Sequence, residues 1–135
     1  MLFFYMKDIF QEQYENLIAP VNFFLHLSRD AYGRYMNNKI FLHAKCIRYA
    51  NEKVCHLLEE HSALIPDNLL NDAIQLLNHY RIWMLQFSEN EIQLKPGLAD
   101  MFIFHHLDNQ SAFPKSSELK FFDYYNELKH KVTNG

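Results

Sequence analysis

Glycine and proline are scarce in this chain, with three and four occurrences in 135 residues. An all-β domain needs many turns, and a disordered chain lacks the apolar residues that make up 49% of this sequence, so both classes are disfavoured. A chain of this length can bury a core without disulfides or metals. We therefore expect a single all-α domain that covers residues 1–135.

Cysteine is also rare, with two residues, and long apolar runs are absent. The apolar opening MLFFYMKDIF is interrupted by Lys7 and Asp8, follows no basic stretch and is too short to span a bilayer. We expect no membrane segment and no secretion signal, and hence a cytoplasmic protein with both thiols reduced. Met1 and Met6 are both open as the natural start.

The chain has no overall basic field, since its formal net charge is −3. Residues 29–54 contain six basic and two acidic residues, whereas residues 56–128 contain four basic and eleven acidic ones. We expect these two segments to pack together and neutralise each other. Arg48 and Glu52 form an i,i+4 pair typical of a solvated helix surface, so we do not expect the basic segment to bind nucleic acid.

Apolar residues recur at helical spacing along most of the chain. The pattern predicts a first helix that ends or kinks at Pro20, a second that starts there, a central helix over 39–60, a fourth from Pro66 to about Ser88, and a last one capped by Ser116 or Ser117. The stretch LADMFIFHHL, residues 98–107, is ambiguous between helix and strand; we favour a helix because no partner strand is predicted elsewhere. The result is a bundle of five to six helices, four of them long.

The segment HAKCIRYANEKVCHLLEEH, residues 43–61, raises the question of a metal site. On one helix Cys46 and Cys55 would lie on opposite faces, about 13.5 Å apart along the axis, and His43 and His61 would be separated by about 27 Å. Zinc needs donors about 2.0 to 2.3 Å from one centre, so we expect neither a metal nor a disulfide here. Phosphate-loop, dinucleotide and nucleophile-elbow motifs are absent, and we expect no cofactor.

Three polar residues fall on faces that are otherwise apolar. His43 and Asn51 lie about 40° either side of the core direction of the central helix, and Arg81 lies about 40° from that of the fourth. A buried polar group costs free energy unless it is paired. In the structural interpretation, His43 is a hydrogen-bonded core histidine and Asn51 is an amide that fixes the helix register. Arg81 forms a salt bridge, for which the candidate acids are Asp100, Asp108, Glu12 and Asp30.

The functional interpretation of the same residues is a polar pocket inside the bundle. Arg81, His43 and Asn51 would then hold a small anionic ligand, and His105 and His106 would line the mouth of the pocket. The alternative for the two adjacent histidines is compensation of a helix dipole at its C-terminal end.

Large apolar side chains also occur away from the predicted core faces: Phe4, Ile82, Trp83, Leu85 and Tyr124. The last two turns of the fourth helix are apolar all round, which predicts burial on two sides, either by the C-terminal segments or by another subunit. The leading hypothesis is a non-catalytic binding or assembly module that forms a homodimer. The alternative is a ligand-binding protein or small enzyme with the anion pocket, and the sequence leaves open whether any catalysis occurs.

Overall fold

The computed structural model describes residues 2–103 and 113–134, with side chains described for residues 8–103 and 113–133. Over these ranges the protein is all-α, as predicted. Its helices are α1 (Leu2–Gln13), α2 (Ala19–Asn38), α3 (Phe41–Glu60), α4 (Leu70–Leu94) and α5 (Lys115–Asn134), with 3-10 turns at Ser62–Leu64 and Asp67–Leu69. Within the described ranges no helix is both long enough and apolar enough to cross a membrane.

Helices α1 and α2 form one uninterrupted rod, because a π-helical turn, Tyr14–Ile18, joins them. The Ala19 N–H donates to the Tyr14 carbonyl, one residue beyond α-helical spacing. Pro20 lies two residues after the end of this wide turn, and the extra room relieves the clash between a proline ring and the preceding helical turn. The first helix therefore does not end at Pro20, since helix continues through this residue to Asn38. The described residues form four helical rods, fewer than the five to six helices predicted.

The central helix is confirmed, since α3 runs unbroken from Phe41 to Glu60. Its apolar stripe is buried as the periodicity requires: Ala44, Ile47, Val54 and Leu58. The preceding turn is made by Lys39, whose φ of 57° ends α2 in the left-handed region.

The fourth helix is longer than predicted. The pattern predicts its end at about Ser88, but α4 continues to Leu94 and ends at Lys95, which has a φ of 45°. An ion pair of 3.3 Å joins Glu91 to Arg48 of α3, so the last turns of α4 remain attached to the bundle. The polar residues of this stretch lie on the surface of the helix, and Pro96 and Gly97 follow the end of α4.

The predicted helix over 98–107 is wrong for its described part, residues 98–103, which are not helical. This segment instead satisfies the first backbone N–H groups of α3: Phe41 donates to Asp100 and Leu42 donates to Leu98, each at 2.9 Å. Phe102 N–H donates to Lys39 at 2.8 Å, and Met101 bridges Ile40. The N-terminus of a helix has N–H groups without intrahelical partners, and here a tertiary contact caps them. His105 and His106 lie outside the described residues.

The core has two parts. The larger one joins α2, α3, α4 and α5 around Leu25, Val54, Leu76 and Phe121, all almost fully buried. The second is mainly aromatic and lies at the end of the bundle where residues 97–103 cover α3; it contains Tyr35, Phe41, Trp83, Phe87 and Phe102. A cavity is lined by residues from both clusters, Tyr80 from the first and Ile47 and Trp83 from the second.

Candidate functional site

Arg81 does not face the core, contrary to the prediction. Its side chain is 46% exposed and forms an ion pair with Glu59 of α3, which was not among the expected partners. The predicted core direction of α4 was an average over apolar residues that belong to two different faces. Ile74, for example, is about half exposed and lies beside Arg81 around the helix axis, so its inclusion rotated the average toward Arg81.

The three predicted pocket residues do not converge. Asn51 is buried and lines a cavity inside the bundle, whereas Arg81 lines a separate shallow depression with Arg48, Glu52 and Leu85. His43 is half-buried and lines neither of these two spaces. A single pocket built from Arg81, His43 and Asn51 is therefore not formed.

The cavity that contains Asn51 has a volume of about 520 Å³. This is within the range of roughly 300 to 1,000 Å³ typical of small-molecule sites. Its lining comes from four helices and from Phe113, which lies two residues before α5: Ser28, Arg29 and Tyr32 are from α2, Ile47 and Asn51 from α3, His79, Tyr80 and Trp83 from α4, and Lys115 and Glu118 from α5.

The floor of the cavity is polar and buried. The Ser28 hydroxyl donates to the Asn51 amide oxygen at 2.5 Å, joining α2 to α3. Tyr80 is buried beside them. Burial raises the pKa of the Tyr80 phenol, and the negative charge of Glu118 acts in the same direction, so this hydroxyl stays neutral. The floor therefore offers neutral hydrogen-bonding groups.

The mouth of the cavity contains the charged groups. The Glu118 carboxylate, only 4% exposed, accepts a hydrogen bond from the Arg29 guanidinium, which reaches solvent. Lys115, at the first residue of α5, is exposed and forms no ion pair with any described residue. Together with Arg48–Glu91, the Arg29–Glu118 pair confirms that the basic segment packs against acidic residues from the rest of the chain.

Three residues that line the cavity, Glu118, Ser28 and Tyr80, were not predicted as site residues from the sequence. For Glu118 and Ser28 the helical phase does indicate a position on the core face. Glu118 has the same helical phase as Phe121 and Tyr125, and Ser28 that of Val21 and Leu25. Both are therefore polar residues on otherwise apolar helix faces, which is the same pattern that identifies Asn51 on α3.

The predicted interface residues have different environments. Trp83 is 7% exposed and stacks on Phe87 at 5.3 Å between ring centroids, so it packs inside the protein and is not a surface anchor. Tyr124 is half-buried and its hydroxyl hydrogen-bonds Gln13 at 2.8 Å. Ile82 and Leu85 are exposed, while the side chain of Phe4 lies outside the described set.

The outer face of α4 has an apolar stripe. Leu70, Ile74, Leu85 and Ile92 fall within about 60° of one another around the helix axis. They are 49%, 47%, 68% and 71% exposed. The inner face buries Ala73, Leu76, Tyr80 and Phe87, so α4 is apolar on two sides, and the described residues of the chain cover only the inner one.

The cysteines are both free; Cys46 is exposed and Cys55 is buried. Burial raises the pKa of the Cys55 thiol to about 12, with smaller contributions from Arg81, which lowers it, and Glu59. No cluster of three or more metal-ligand side chains occurs in the part of the chain that the structure describes.

Comparison with known proteins found no family model, no curated protein and no solved structure that matches this chain. The cavity and the outer face of α4 are the features of the described residues that bear on function.

Proposed function

We propose that the protein is a non-catalytic helical binding module that forms a homodimer through the outer face of α4. The observation that supports this proposal is the exposed stripe of Leu70, Ile74, Leu85 and Ile92. From Leu70 to Ile92 the stripe extends about 33 Å along the helix. The two halves of the stripe, one on each side of Arg81, form exposed apolar surface of the kind that is typical of an interaction site. Two free thiols are compatible with the reducing cytoplasm, where we place the module.

A second copy of the chain suits this surface because the two ends of the stripe lie symmetrically about its centre. Leu70 and Ile92 are equally distant in sequence from Arg81, one on each side. In an antiparallel pairing about a twofold axis near Arg81, Leu70 of one copy would face Ile92 of the other. Twofold dimers are the commonest oligomers, and their interfaces must be self-complementary in this way.

The charge at the centre of the stripe is compatible with such an axis. Two Arg81 side chains would approach each other there, and two like charges in contact would oppose association. Each Arg81 is already paired with Glu59 of its own chain, so the four charges sum to zero.

Sedimentation velocity over a concentration series tests the proposal with Leu85→Asp as the variant. Loss of an interface anchor costs about 2 kcal/mol or more of binding free energy. We expect a dimeric wild type and a largely monomeric Leu85→Asp at equal concentration. Leu119→Asp on α5 is the matched control, because Leu119 is similarly exposed at 54% but lies off the stripe. A wild type that stays monomeric at high micromolar concentration would refute the proposal, as would equal effects of the two substitutions.

A further inference from the structure

The walls of the cavity are aromatic and the floor is polar. Tyr32, Trp83 and Phe113 line it, and His79 packs edge-on against Phe113 at 5.2 Å between ring centroids. Aromatic walls of this kind favour a ligand with a ring system, which they contact by stacked or edge-to-face packing. The inner face of α4, which contributes Trp83 and Tyr80, is distinct from the outer stripe described above.

The floor has a hydrogen-bonding group that the fold does not use. Asn51 is 2% exposed, and its amide oxygen accepts from Ser28. No residue in the described ranges accepts a hydrogen bond from the Asn51 amide nitrogen, although Asn51 lines the cavity. A buried amide normally has partners for both ends, so this nitrogen is suited to a ligand acceptor.

The charges at the mouth favour an anion. Arg29 and Glu118 neutralise each other, which leaves Lys115 as the unpaired charge among the described lining residues. Lys115 is the first residue of α5, where the helix dipole is also positive and destabilises a cation. A negative group bound near Lys115 would compensate both charges.

We infer that the cavity between α2, α3, α4 and α5 is a binding site for a small aromatic molecule with one negative charge. The rings lie between Trp83, Tyr32 and Phe113, the anion lies near Lys115, and an acceptor on the ligand receives the free Asn51 amide hydrogens. The site performs no chemistry in this assignment. It is independent of dimer formation, which uses the opposite side of α4.

Trp83 provides the readout, because it is the one tryptophan of the chain and lines the cavity. The probe is 8-anilinonaphthalene-1-sulfonate, an aromatic monoanion that accepts excitation energy from tryptophan. N-phenyl-1-naphthylamine has the same rings without the sulfonate. We expect saturable energy transfer from Trp83 to the anionic probe with one site per chain, and binding of the neutral probe at least about tenfold weaker, since a charge-assisted contact is lost.

The variants locate the site. Lys115→Glu should weaken the anionic probe by about tenfold or more, whereas Lys129→Glu, an equal charge change at an exposed position of the same helix, should leave its affinity unchanged. Leu85→Asp should also leave it unchanged, which excludes binding to the outer stripe of α4. Equal affinity of the two probes, equal affinity of Lys115→Glu and wild type, or no saturable transfer up to about 1 mM would each overturn the inference.

Discussion

Ser28 and Asn51 form a buried side-chain hydrogen bond of 2.5 Å that connects α2 to α3. Both residues lie on otherwise apolar helix faces, between Leu25 and Ala31 on one helix and between Ile47 and Val54 on the other. A hydrogen bond in this position is directional, so it fixes how the two helices are aligned, whereas apolar packing alone tolerates small shifts.

Asn51→Leu should destabilise the protein by about 1 to 3 kcal/mol, because the buried Ser28 hydroxyl loses its acceptor. The double variant Ser28→Ala/Asn51→Leu removes both partners and should recover part of that loss. Urea unfolding of the two single variants and the double variant gives the coupling energy. Strictly additive losses would mean that the hydrogen bond contributes nothing to stability.

The sequence predicted the elements with strong local periodicity and failed where tertiary contacts decide the conformation. The α3 helix followed directly from its apolar stripe. Residues 98–103 were misassigned because their structure depends on the unpaired N–H groups of α3, which are distant in sequence. No local pattern encodes that contact.

The candidate site shows the same division. Asn51 could be identified from the sequence because it is a polar residue within the apolar stripe of one helix, α3. Ser28 could be identified in the same way on α2, but its pairing with Asn51 depends on how α2 packs against α3. Arg81 was misplaced because helical phase does not say which of the two apolar faces of α4 is covered. Phase identifies candidates for burial, and packing decides among them.

The two cysteines should differ sharply in reactivity. Alkylation requires the thiolate, and burial raises the pKa of Cys55 to about 12, so at pH 8 this thiol is protonated as well as inaccessible. We expect iodoacetamide to modify Cys46 in the native protein and Cys55 only in denaturant. Peptide mass spectrometry distinguishes the sites. Equal labelling of both under native conditions would show that α3 does not bury Cys55.

Phe102→Ala should destabilise the protein by about 3 to 5 kcal/mol, because a fully buried aromatic side chain is lost from the second core cluster. The expected consequence is local as well as global: Phe102 holds residues 97–103 against the N-terminus of α3. Hydrogen exchange should therefore accelerate at the amides of Phe41 and Leu42, which donate to this segment. Met101→Ala, at an exposed neighbouring position, is the control and should leave those amides protected.

Two arginine–glutamate pairs of the protein differ in exposure. Arg81 and Glu59 are both about half exposed, whereas Arg29 pairs with Glu118, whose side chain is 4% exposed. When methionine replaces either arginine, the apolar stem is largely preserved and the cation is removed. After Arg81→Met, water can solvate Glu59, so the free energy of unfolding should fall by less than about 1 kcal/mol. After Arg29→Met, Glu118 remains buried without its cation, and we expect a loss of about 2 to 3 kcal/mol. Urea unfolding of both variants in one buffer measures the difference. If Arg81→Met were the more damaging substitution, the orientation of α4 described here would be wrong, since Arg81 would then have to face the core.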